Sequence, residues 1–71
     1  MSQTLKINGI EKKFNADNLP GTLAELLEQM NINQATVVAE IDGTIVNRTD
    51  FNDTKINLGQ SIELVRFVGG G

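Results

Sequence analysis

The stretch Ile62-Glu63-Leu64-Val65-Arg66-Phe67-Val68-Gly69-Gly70-Gly71 is a β-branched and apolar run that ends in three glycines. Its first part has the period of two of a strand with one face buried: Ile62 and Leu64 point one way, Glu63, Val65 and Phe67 the other. Glycine has no Cβ and holds an extended chain poorly, so backbone made of it passes through tight spaces. Three glycines behind a strand therefore put one chemical group, the α-carboxylate of Gly71, on a thin and flexible leash. At roughly 3.3–3.6 Å per residue the leash reaches about 10 Å, enough to thread a slot where any side chain would clash. We expect Gly71 to be the functional residue, Gly69 and Gly70 the threading segment, and the preceding residues a handle for partner proteins.

The remaining sequence supplies neighbours for that strand. Leu5 and Ile7 alternate with Lys6 over Thr4–Ile7, and Asn8-Gly9 is suited to the positive φ angles of a two-residue hairpin turn. Ile10–Phe14 is the returning strand, with Lys12 and Lys13 marking an exposed edge. Asn15–Gly21 carries the only proline and reads as a loop. Thr22-Leu23-Ala24-Glu25 is a capping box, and Leu23, Leu26, Leu27 and Met30 form one apolar stripe, so a helix starts at Thr22 or Leu23 and ends near Met30 or Asn31. Val37, Ala39 and Ile41 alternate with Val38 and Glu40 in a third strand. Asp42-Gly43 signals a second hairpin returning through Thr44–Asn47. Arg48–Ile56 reads as a 3₁₀ turn and an irregular crossing anchored by Phe51 and Ile56, and Asn57–Gln60 turns into a last strand, Ser61–Val68.

A single helix must cover one face of a sheet, since neither apolar face can be left in water. Placing the last strand beside the first, parallel to it, shields both from edge exposure and makes the sheet mixed. The expected fold is thus α+β, a β-grasp: four to five strands on one helix. One domain spans residues 1–68, followed by a glycine tail at 69–71. Leu5, Ile7, the helix stripe, Val37, Ala39, Ile41, Ile56, Ile62 and Leu64 would form its inner face. With no tryptophan or tyrosine, the core is expected to come from aliphatics plus Phe14, Phe51 and Phe67.

Composition excludes most chemistry. The 71 residues include no cysteine and no histidine, which removes disulfides, thiolate metal sites, cysteine nucleophiles and the commonest general base. Glu25 and Glu28 read as a solvated helix face, and Asp50 and Asp53 fit no calcium-loop pattern, so neither a metal site nor an enzyme is expected. The net charge is −3, with six scattered basic residues, which argues against nucleic acid. No apolar run approaches the roughly 18–20 residues of a membrane span, and no signal peptide is evident at the N-terminus, so a cytoplasmic location is expected. On the last strand, Val65 and Phe67 are candidates for a partner-docking patch on the open face, the alternative being that Phe67 folds back over the sheet end or packs beside Ile45. Arg66 is a further docking candidate.

Across its whole length the chain resembles the ubiquitin-like sulfur carriers, most closely the thiamine-biosynthesis ThiS type. The resemblance rests on Ile7-Asn8-Gly9, Thr22-Leu23-Ala24-Glu25-Leu26-Leu27, Val38-Ala39-Glu40-Ile41-Asp42-Gly43, Ile45-Val46-Asn47-Arg48 and the ending Ile62–Gly71. Asn47 stands where the family usually has proline and Phe51 where it often has tryptophan. Leu58 and Gln60 replace an acidic pair around Gly59.

The resemblance implies a mechanism. An E1-like, ThiF-like adenylyltransferase would use ATP and magnesium to adenylate the Gly71 carboxylate, this chain itself binding no cofactor. A persulfide from a cysteine desulfurase pathway would displace AMP, leaving a thiocarboxylate that a ThiG-like thiazole synthase consumes. The carrier would be a monomer when alone. The alternatives are a molybdopterin synthase small subunit using the same tail chemistry, a ubiquitin-like modifier conjugated through Gly71, and a binding domain with an inert tail.

Overall fold

The structure is a computed structural model and describes residues 4–15 and 17–67. Strands β1 (Thr4–Ile7) and β2 (Ile10–Lys13) form the first antiparallel hairpin. Its turn residues Asn8 and Gly9 have φ of 53° and 82°, the two consecutive positive values that a type I′ turn requires. The second hairpin repeats the device: Asp42 and Gly43, at 50° and 88°, join β3 (Val37–Ile41) to β4 (Thr44–Val46).

Between the hairpins lies α1 (Leu23–Gln29), opened by the expected capping box. The Glu25 N–H donates to Thr22 Oγ1 at 3.3 Å, while Glu25 Oε1 accepts from the N–H groups of Gly21 and Thr22 at 2.8 and 3.1 Å. The irregular crossing after β4 completes the cap, because the Leu23 and Ala24 N–H groups donate to the carbonyls of Thr54 and Phe51. The first N–H groups of a helix have no partner within it; here each finds one. Met30 is the C-cap, and Asn31 leaves the helix at φ 58°. Two 3₁₀ turns occur, at Gln34–Thr36 and Arg48–Asp50. The first falls between α1 and β3, and Asn33 nucleates it by accepting the Ala35 N–H on its side chain.

β5 (Ser61–Arg66) sits in the middle of a five-stranded sheet of order β2-β1-β5-β3-β4. It runs parallel to β1, with Ile7 opposite Ile62, and antiparallel to β3, with Ala39 opposite Leu64. This is the expected mixed sheet on one helix. β5 ends at Arg66; Val68 and the proposed boundary with the tail at 69–71 lie outside the described residues.

The core matches the sequence reading in most positions and differs in a few. Leu5, Leu23, Leu26, Leu27, Ala39 and Ile62 are fully buried, and Phe51 and Ile56 anchor the crossing as expected. Phe14 is buried as expected and Ala24 joins the core, while Met30 and Ile41 are only half-buried. The helix makes only two turns, so Met30 stands past its end at the rim of the sheet. Phe14 turns inward just after β2 and carries the Lys12 ammonium 6.0 Å from its ring centroid. Phe67, expected in the core, is instead 49% exposed, because it follows the last residue of β5 on the side away from Leu64. Among the described residues no helix is long and apolar enough to cross a membrane.

Both hairpin turns also hold β5. Leu64 donates its N–H to Asn8 Oδ1 at 2.7 Å, and Ser61 donates to Asp42 Oδ1 at 2.9 Å. β1 leaves the sheet at Asn8, so without that side chain the part-buried Leu64 N–H would lack an acceptor. Replacing Asn8 should therefore separate two costs in urea unfolding. Asn8→Asp keeps both the acceptor and the tolerance for positive φ, and should stay within about 0.5 kcal/mol of the parent. Asn8→Gly keeps the conformation but orphans Leu64, and should lose about 1–2 kcal/mol. Asn8→Ala should lose a further 1–2 kcal/mol or so for the left-handed backbone.

Candidate functional site

Val65 and Phe67 leave β5 on the sheet face away from the helix, 61% and 49% exposed. Register brings two further side chains to them. Val38, 43% exposed, is the cross-strand partner of Val65, and Ile45, 64% exposed, pairs with Glu40 on the neighbouring strand. Four of the six large exposed hydrophobics among the described residues thus share one face, the others being Ile10 and Leu58. Apolar side chains gathered in this way mark interaction surfaces more often than the same number scattered singly.

Phe67 closes the patch. Its N–H donates to the Thr36 carbonyl at 3.0 Å, which continues the β3–β5 ladder one step past the strand. Its ring lines a hollow of about 380 Å³ together with Val38, Ile45, Asn47 and Arg48. Phe67 and Ile45 do share this hollow, as the alternative reading of the sequence allowed, yet about half or more of each remains in water. β5 ends at Arg66, so in sequence the patch stands directly before the segment leading to Gly69, Gly70 and Gly71. Those three glycines lie outside the described residues.

Arg66 is not part of this group. The period of two sends it to the helix side with Leu64, where both line a hollow of about 330 Å³ with Asn8, Met30 and Ile32. The alternation of Leu64 and Arg66 in the sequence already carried that information. Val38 and Ile45 were harder to find. The β3 alternation puts Val38 on the outer face, but only the register of β3 with β4 and β5 makes it a neighbour of Val65 and brings Ile45 alongside.

The described residues offer little else that could do chemistry. No group of three or more of them is arranged to hold a metal ion. Glu25 is committed to the helix cap. Asp50 contributes its backbone carbonyl, accepting from Thr54 Oγ1 at 2.7 Å and from the Asp53 N–H at 3.0 Å.

The family model described as the ThiS family matches residues 5–71. A sulfur carrier protein ThiS of Bacillus subtilis is 30% identical over 67 residues, covering 94% of this chain and 98% of that protein. A thiazole synthase of Paramagnetospirillum magneticum contains a stretch 33% identical over 67 residues; the chain spans 20% of that protein's length. The crystal structure of a thiamine biosynthesis protein (ThiS) from Geobacter metallireducens superposes with a TM-score of 0.78 at 28% identity, covering 96% of this chain and 99% of that one.

The two phenylalanines at opposite ends of the burial scale should separate in a stability measurement. Phe51, 1% exposed, should cost about 3–5 kcal/mol on truncation to alanine. Phe67→Ala should cost no more than about 1 kcal/mol. Chemical denaturation of both variants, with intact far-UV circular dichroism for Phe67→Ala, checks this.

Proposed function

Because this chain belongs to the ThiS family, we propose that it is a sulfur carrier serving thiamine biosynthesis, with the carboxylate of Gly71 as the group that carries the sulfur. The observation that carries the reading is end-to-end similarity to the Bacillus subtilis sulfur carrier, in a chain whose sequence finishes in Gly69-Gly70-Gly71. The chain acts as a co-substrate of other enzymes. A carboxylate is a poor acyl donor until one oxygen becomes a good leaving group, and a protein without cysteine or histidine depends on partners to make it one.

The chemistry follows in balanced steps. In the active site of a ThiF-like adenylyltransferase, a Gly71 carboxylate oxygen attacks the α-phosphorus of ATP held with magnesium, and pyrophosphate leaves. The terminal sulfur of a persulfide, supplied through a cysteine desulfurase, then attacks the acyl carbon and expels AMP. That leaves an acyl disulfide. A thiol reductant cleaves the S–S bond, giving the thiocarboxylate, whose sulfur a thiazole synthase takes into the thiazole ring. Gly69 and Gly70 let the chain enter each active site without a Cβ to obstruct it. Val65 and Phe67 dock the domain while the tail is engaged. Arg66, on the other face, serves a separate contact with a partner.

The segment like this chain inside a protein named thiazole synthase favours the thiazole route over the molybdopterin alternative. A cytoplasmic location suits partners that use ATP and persulfide sulfur, and the free carrier works as a monomer whose tail is open to each partner in turn.

Intact-mass spectrometry of the untagged protein from thiamine-limited cells tests the proposal. The expected result is a gain equal to one oxygen exchanged for sulfur, localised to Gly71 and removed by thioacid-specific alkylation. Deleting Gly70 and Gly71 should abolish the modification and produce a thiamine requirement while leaving the unfolding midpoint unchanged. An unmodified mass, both in cells and after incubation with ATP, a persulfide donor and the adenylyltransferase, would overturn it.

A further inference from the structure

The apolar patch on the open face carries an electrostatic feature that its fold does not need. Glu40 on β3 and Glu63 on β5 are direct cross-strand partners. The alternation of each strand turns both to the open face, opposite the buried Ala39, Ile62 and Leu64. Like charges directly opposite each other on a sheet are destabilising. Among the described residues no ion pair relieves them. Lys6 is the nearest cation by register, one strand over beside Ser61, and it faces Glu11 on β2. The two carboxylates sit in the row that begins with Ile45, and the next row holds Val38 and Val65. A pair of anions is thus set into the apolar patch, at the end away from Phe67.

We infer that this surface is shaped for a partner protein that lays apolar side chains against Val38, Val65 and Phe67 and places a guanidinium between Glu40 and Glu63. Charge complementarity selects that occupant. A planar guanidinium offers several N–H donors in a fixed fork and can donate to two carboxylates at once. A partner patch that is only apolar would bury two anions without compensation, which is costly. The pair therefore costs the free carrier stability and favours the correct partner, since surfaces without the cation are penalised. This inference rests on the sulfur-carrier reading and names the chemistry by which the activating enzyme would recognise the domain.

Two substitutions separate this role from a structural one. Glu63→Gln removes the repulsion, and Glu63→Lys converts it to attraction with Glu40, so both variants should unfold at higher urea concentration than the parent. Both should nevertheless be poorer substrates of the cognate ThiF-type adenylyltransferase, measured by pyrophosphate release. KM should rise roughly fivefold for Glu63→Gln and more for Glu63→Lys, with kcat little changed. The difference between parent and Glu63→Gln should shrink on raising salt to about 0.5 M. Variants that are stabilised yet keep the parental KM would overturn this inference while leaving the carrier reading intact. Loss of pyrophosphate release by the parent protein itself would overturn both.

Discussion

The structure depends on satisfying the backbone of one strand from both sides. Among the described residues β5 is the only element that contacts both hairpins through the sheet, accepting β1 in parallel and β3 in antiparallel register. A buried strand must find a partner for nearly every N–H and C=O, because an unpaired group away from water costs as much as several good contacts return. Neither neighbour is long enough to cover β5 completely. The turn residues supply the difference, Asn8 for Leu64 and Asp42 for Ser61. The same two residues carry the positive φ angles that reverse each hairpin, so turn chemistry and sheet closure are one requirement rather than two. Asparagine and aspartate suit both halves of it, since they tolerate the left-handed region and carry an acceptor on a short side chain.

That double duty explains why so much of the fold was legible in the sequence. Asn8-Gly9, Asp42-Gly43 and the Thr22–Glu25 capping box are local signals whose meaning does not depend on distant residues, and each element beside them stands within a residue or so of its expected place. What was less legible depended on tertiary contacts. Composition assigned Phe14 to the core, but no local pattern shows how the chain turns inward after an exposed edge strand. The crossing from Arg48 to Ile56 looks irregular because its carbonyls at Phe51 and Thr54 are spent on capping the helix rather than on a ladder of its own.

The candidate site divides along the same line. Strand periodicity was enough to place Val65 and Phe67 outward and could have separated Arg66 from them. Val38, Ile45 and the Glu40–Glu63 juxtaposition are products of register between strands far apart in sequence, and no local pattern encodes register. The residues that give the patch its extent and its charge therefore became visible only with the sheet assembled. The three glycines are marked in the sequence by composition alone.

The position of β5 also has a consequence for how the molecule is made. Each hairpin can form early from neighbouring residues, but the contact from Leu64 to Asn8 spans 56 positions, and closing so wide a loop slows assembly relative to local pairing. On the ribosome the two hairpins emerge well before the strand that joins them. Until Ser61–Arg66 is available, the inner faces of β1 and β3 have no common neighbour and no sheet exists for the helix to cover. A chain interrupted before that point would lack the sheet, and with it the open face on which Val38, Ile45, Val65 and Phe67 gather. That face exists only once Ser61–Arg66 is in place.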